Sequence, residues 1–116
     1  MAIAAAMDLL GPASNKIQPI FITVDPERDT VERLADYVTA FHSSLIGLTG
    51  APEQIRQLAL AYKVYYAKVE APDGSDYAID HTGFIYLIGP DGRYLGFFPP
   101  NTSAERLVEI IRQQLP

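Results

Sequence analysis

The apolar positions of the chain fall into short blocks whose period switches between helical and strand-like. Met1–Leu10 is rich in Ala and Leu and stops at Gly11-Pro12, the pattern of a helix closed by a C-cap and a breaker. No Ser, Thr, Asp or Asn precedes it, so this helix has no N-cap. It is either a frayed terminus or a helix whose start lies in absent sequence. Ile17–Val24 is short, apolar and β-branched, which predicts a buried parallel strand. Asp25–Asp29 forms the loop at its C-terminal end. Asp29 is placed to cap the next helix, with Glu32 at the capping-box position. In that helix Val31, Leu34, Ala35, Val38 and Phe41 fall on one face. Leu45–Leu48 reads as a short strand. Pro52 suits the first position of a third helix, whose buried stripe is Ile55, Leu58, Ala59 and Tyr62. Val64–Val69 is a strand with aromatic content, and Pro72–Asp76 is a polar loop. Gly83–Ile88 and Arg93–Phe98 flank Gly89-Pro90-Asp91-Gly92, a hairpin signal. The last helix is expected from Thr102, with Glu105 completing a capping box and Leu107, Val108, Ile111 and Leu115 buried.

This order, with parallel pairing early and an antiparallel hairpin late, predicts an α/β fold with a mixed sheet and helices on both faces. The 116 residues amount to one domain, and an apolar fraction of 48% with 20% charged residues suits a packed core. The net charge of −5 and the lack of any Lys/Arg cluster remove the electrostatic footprint of a nucleic-acid binder. Met1–Leu10 is too short to span a bilayer, and with Asp8 and no basic flank it does not read as a signal peptide. Read literally, the chain is a soluble acidic protein with no export signal. It contains no cysteine, so as given it has no thiolate nucleophile, disulfide, iron–sulfur cluster or thiolate zinc site.

Few residues can carry chemistry. His81 follows Asp80 and stands at the mouth of the apolar stretch Gly83–Ile88, where it could be a metal ligand with its second ring nitrogen held by an acceptor. A solvent-facing or capping histidine is the commoner case. His42 ends a helix, where an imidazolium would suit the dipole. Asp25, Glu27 and Asp29 alternate, but the Gly and Glu that a calcium loop of the EF-hand type needs are not in place, and Arg28 can pair with the acids. The glycines form no phosphate-binding fingerprint, and no Ser or Thr sits on a nucleophile elbow. Tyr62, Tyr65 and Tyr66 are expected in the core and on sheet faces.

Four segments together resemble the Sco/SenC copper-delivery proteins: Pro19–Thr30, Leu45–Gly50, Ala61–Tyr66, and Asp80-His81-Thr82 followed by Tyr86–Gly92. They run in family order and cover essentially residues 1–115. The resemblance implies a thioredoxin-like mixed sheet flanked by helices, here a single domain over 1–116 lacking its N-terminal strands. It implies one copper ion held by two cysteines of a C-x-x-x-C-P motif and one distant histidine, which His81 matches. Asp25 and Asp80 are then candidates to support that site, with loop capping an equal role for Asp25. The family assembles the dinuclear copper centre of cytochrome c oxidase by copper transfer, thiol–disulfide exchange or both. Its partners are the oxidase's copper-bearing subunit or another copper chaperone. Its members are tethered to the bacterial inner membrane, facing the periplasm, or to the mitochondrial inner membrane.

The departure from the family pattern is the cysteine pair, which sits just before the helix Met1–Leu10. The expectation is a chain cut at an internal methionine, by choice of boundary or by a misassigned start. Such a chain would bind no copper tightly, would not act as a thiol oxidoreductase or other enzyme, and would leave two strands with unpaired edges that invite a homo-oligomer. The alternative is a Cys-free thioredoxin-like module that binds a protein partner and has no metal or redox role.

Overall fold

A computed structural model describes residues 1–74, 77–81 and 83–115, with the backbone alone for 79–81. Helix α1, Ala2–Leu10, ends where Gly11 takes φ 57°, a left-handed value that favours glycine, and a 3-10 turn over Gly11–Lys16 follows. Strand β1 (Ile20–Ile22), helix α2 (Val31–Thr39), strand β2 (Ile46–Leu48) and helix α3 (Pro52–Tyr62) make the first half. Strands β3 (Tyr66–Val69), β4 (Ala78–His81), β5 (Ile85–Ile88) and β6 (Tyr94–Phe98), then helix α4 (Ala104–Gln114), make the second.

The strands pair as three separate two-stranded ladders. β1 and β2 are parallel, with Ile20 opposite Ile46 and Ile22 opposite Leu48. β3 and β4 are antiparallel, with Tyr66 opposite His81 and Val69 opposite Ala78. β5 and β6 are antiparallel, with an irregularity between Leu87 and Ile88. The expected early parallel pair and late hairpin are both present. Among the described residues β1 pairs only with β2, and β5 only with β6. The molecule measures 50 × 28 × 25 Å, and its 15.3 Å radius of gyration exceeds the roughly 13 Å usual for a domain of this length.

The main core lies where α1 and α4 pack together on the β5–β6 hairpin. Ala6, Met7, Leu10, Phe98, Leu107, Val108 and Ile111 are buried there, with Ile85, Leu87 and Leu115 against them. A second packing unit joins α2 to the β1–β2 pair. Gly47 of β2 lies under this helix, and a Cβ there would stand 3.0 Å from Leu34 Cβ and 3.4 Å from Val38 Cγ1.

Several local expectations need correction. Thr30, not Asp29, caps α2: its hydroxyl accepts from the Arg33 N–H, while the Asp29 carboxylate is drawn to Thr23. Ser103, not Thr102, caps α4, because the Thr102 hydroxyl donates to the Pro99 carbonyl; Glu105 therefore closes no box. β1 is parallel but not buried. Ile20 and Ile22 are 46% and 39% exposed, because no element covers their side of the ladder among the described residues. In α2 only Leu34 and Val38 are buried; Val31, Ala35 and Phe41 are exposed, and Phe41 lies beyond the helix, edge-on to Tyr37. Tyr65 is exposed rather than core. Strand β4 was not expected, since it is short and ends in Asp80-His81, residues without strand preference.

Replacing Gly47 by Val drives a branched side chain into the α2 contact. Gly47→Val is expected to cost about 1–3 kcal/mol of stability, read as a lower urea midpoint at unchanged slope; an unchanged midpoint would show that α2 can move off the strand.

Candidate functional site

The loop that follows β1 is organised by its own polar side chains. Thr23 is almost fully buried; its hydroxyl donates to Asp29 Oδ2 and accepts from the Asp25 N–H at 2.8 Å. The Asp25 carbonyl accepts from the N–H groups of Arg28 and Asp29. This turn holds the Asp25 carboxylate inward, with only 8% of the residue exposed. A buried carboxylate is costly unless its oxygens are taken, and both are. Arg28 Nε donates to Asp25 Oδ2, and the Tyr77 hydroxyl donates to Oδ1 at 3.0 Å.

Tyr77 is also gripped elsewhere. Arg28 Nη1 donates to its carbonyl at 2.8 Å, the Arg28 guanidinium lies 4.0 Å from its ring centroid, and Lys68 Nζ of β3 stands 4.1 Å from the same centroid. Lys68 also lies 3.6 Å from Glu27. Tyr77 immediately precedes β4, so these contacts pin the turn end of the β3–β4 hairpin to the loop after β1. An open cleft of about 390 Å³ runs alongside, lined by Asp25, Glu27, Ile55, Arg56, Tyr66 and Lys68 among others.

His81 occupies the far end of β4, opposite Tyr66, and Asp80 lies opposite Ala67. The side chains of Asp80 and His81 lie outside the described residues. Asp25 is joined to the hairpin that carries them through Tyr77. Sequence reading singled out Asp25 and noted that Arg28 can pair with acids; it missed Tyr77 and Lys68. Tyr77 is 52 residues from Asp25 and flanks a polar loop, so no local pattern marks it. Asp25, Glu27 and Asp29 do not converge on a cation: each has a separate partner, and no group of three or more potential metal ligands occurs among the described residues. His42 does not close a helix. Its Nε2 lies 3.3 Å from Asp8 of α1, and its Nδ1 meets Ser44, so it ties α1 to the connection before β2.

A second tyrosine links the halves. The Tyr86 hydroxyl of β5 donates to the Tyr62 carbonyl at 3.1 Å, at the α3 C-terminus where helix carbonyls lack partners, and the two rings meet in a tilted contact with centroids 5.2 Å apart.

The sequence model of the SCO1/SenC family matches residues 1–116. The chain belongs to the SCO1/SenC family. Among relatives, it is 44% identical to the mitochondrial SCO2 homolog of Bos taurus over 104 residues, covering 90% of this chain and 39% of that protein. It is 49% identical to the mitochondrial SCO1 homolog of Homo sapiens over 85 residues, 73% of this chain and 28% of that one. The chain thus spans well under half the length of these relatives. The copper-bound ScoI of Arabidopsis thaliana superposes with a TM-score of 0.89 at 42% identity, over 97% of this chain and 70% of that structure. The copper-bound ScoI of Bradyrhizobium japonicum gives 0.86 at 37% identity, over 98% and 72%. The expected thioredoxin-like class of the SCO1/SenC fold therefore holds. No described helix is long and apolar enough to cross a membrane.

The hydroxyls of Tyr77 and Tyr86 are both held above the ordinary phenol range. Desolvation is the main cause for each; the Asp25 carboxylate adds to it at Tyr77, and Tyr94 at Tyr86. A raised folded value favours the neutral phenol. Its contribution to stability is therefore present below the ordinary pKa near 10 and is lost as pH rises through the raised values. Titration of absorbance at 295 nm should show a late-ionising tyrosine component. Tyr77→Phe and Tyr86→Phe should each remove part of that late component; if neither does, these hydroxyls are not held as described.

Proposed function

We propose that this chain is the histidine-bearing part of a Sco-type copper-handling protein, with copper as cargo and His81 as the imidazole ligand. The observation that carries the reading is the SCO1/SenC match over all 116 residues; His81, the residue that the sequence resemblance aligns with the family's histidine, lies on the β3–β4 hairpin. The role so assigned is copper delivery or thiol–disulfide exchange during assembly of the dinuclear copper centre of cytochrome c oxidase. The partner is its copper-bearing subunit or another copper chaperone, on the periplasmic or intermembrane-space side of the membrane. Asp80, adjacent in sequence, is the proposed acceptor for the second ring nitrogen of His81, which would fix the ring's tautomer. Asp25 supports the site through the hairpin.

The donors of this chain do not fit a tight Cu(I) site. Cu(I) is soft and selects thiolate and thioether sulfur, and the 116 residues hold no cysteine and two histidines. The chain therefore brings one imidazole to the metal, holds copper weakly and catalyses no thiol–disulfide exchange by itself.

Paramagnetic Cu(II) added below stoichiometry to the labelled chain should broaden the resonances around His81 before those around His42. His81→Ala should abolish that selectivity, and calorimetry should show no stoichiometric sub-micromolar site. Broadening centred on His42, or an unchanged response in His81→Ala, would overturn the assignment. Tight stoichiometric binding would overturn the single-imidazole account.

The outer edges of β1 and β2 lack partners among the described residues, and Ile20, Ile22, Ile46 and Leu48 are exposed there. Such edges template pairing with another strand. Sedimentation velocity on this chain should show a weight-average coefficient that rises with concentration; a strict monomer at high concentration would exclude edge pairing between copies.

A further inference from the structure

We propose that Arg28 and Tyr77 are positioning residues for His81: together with Asp25 and Lys68 they form a clamp that sets where the β3–β4 hairpin stands. The proposal rests on His81 being the copper ligand, but its geometric part is independent of copper. β3 and β4 pack extensively on each other and on no other strand or helix to a comparable extent. Their placement therefore falls to side chains at one end. Five contacts meet there: the Tyr77 hydroxyl on Asp25, the Arg28 guanidinium on both Asp25 and the Tyr77 carbonyl, and Arg28 and Lys68 over the Tyr77 ring.

The arrangement engages both strands of the hairpin. Lys68 belongs to β3, where it stands opposite Ile79; Tyr77 leads directly into β4. Tyr77 is thus held between two cations at its ring, an arginine at its carbonyl and a carboxylate at its hydroxyl. It cannot rotate or slide without breaking a charge-assisted hydrogen bond. His81 is four residues further along the strand, roughly 13 Å at the strand rise per residue. A small angular error at the clamp becomes a displacement of an ångström or more at that distance. Arg28 is the centre of the device, because it touches Asp25, the Tyr77 ring and the Tyr77 main chain together.

The clamp makes no contact with the metal, so its test needs readouts at the hairpin and at His81. In Arg28→Ala, amide hydrogen exchange across β3–β4 should accelerate about tenfold or more, the scale set by a charge-assisted hydrogen bond, with α1 and α4 amides unchanged. Tyr77→Phe keeps the ring between its cations and loses only the hydroxyl, so it should show a smaller acceleration. Arg28→Lys keeps charge but not the two-pronged geometry, and should fail to restore protection. The His81 ring resonances should shift in Arg28→Ala and Tyr77→Phe, and the Cu(II) selectivity for His81 over His42 should fall, most in Arg28→Ala. Unchanged exchange and unchanged His81 resonances in Tyr77→Phe and Arg28→Lys, which are too mild to unfold the chain, would overturn the clamp. Faster hairpin exchange with His81 resonances unmoved would reduce it to a structural tie and overturn the positioning role. If the parent chain shows no Cu(II) selectivity at His81, the copper reading fails while the exchange arm still decides the clamp.

Discussion

Three two-stranded ladders that share no hydrogen bonds with one another among the described residues must be held in place by side chains, and each is held differently. The β5–β6 hairpin is held by apolar burial against α1 and α4, through Phe98, Ile85 and Leu87. The β1–β2 pair is held by close approach, with α2 seated on Gly47. The β3–β4 hairpin is held by a buried carboxylate and the arginine and tyrosine that satisfy it. The first two bonds are non-directional and tolerate small slips; the third is directional and does not. The ladder that carries the proposed ligand, His81, is thus the one fixed by hydrogen bonds.

The parts of this fold that were legible in the sequence are those set by local period and punctuation. Pro52 at the start of α3, the Leu107–Val108–Ile111 stripe of α4 and the Pro90-Asp91-Gly92 turn each signal their element within a few residues, and each is where expected. The caps were misplaced by one residue because neighbouring polar side chains compete. Asp29 and Thr30 both suit an N-cap, and the choice is made by Thr23, six residues before Asp29 in the loop that follows β1. The burial of β1 was misjudged for a similar reason. An apolar β-branched run says that a strand is fit for burial, but what covers it is decided elsewhere in the chain.

The candidate site divides the same way. His81 and Asp25 stand in strings that resemble a family, so they could be singled out from sequence. Tyr77 and Lys68 could not, because their roles exist only once β4 crosses to the end of β1. The chemistry follows from what the chain contains. Carboxylates, amines and phenols make good hydrogen-bonding and electrostatic devices, and here they are engaged with one another rather than left open to a cation. Soft metals prefer sulfur, which this chain offers only in Met1, before α1, and in Met7, buried in the apolar core.

The clamp also shows why a salt bridge of modest strength can matter for position. Arg28 is about one-third exposed, so solvent screens its attraction for Asp25 and the pair by itself contributes little. The asymmetry lies with Asp25. Its carboxylate is largely shielded from water, so removing either donor takes a hydrogen bond from a buried acceptor, a larger loss than the bond's net worth. The chain can escape that loss only by swinging the loop or the hairpin outward until water reaches the oxygen. Losing a donor is therefore expressed as movement more than as unfolding, and the element that moves is the one that ends in His81.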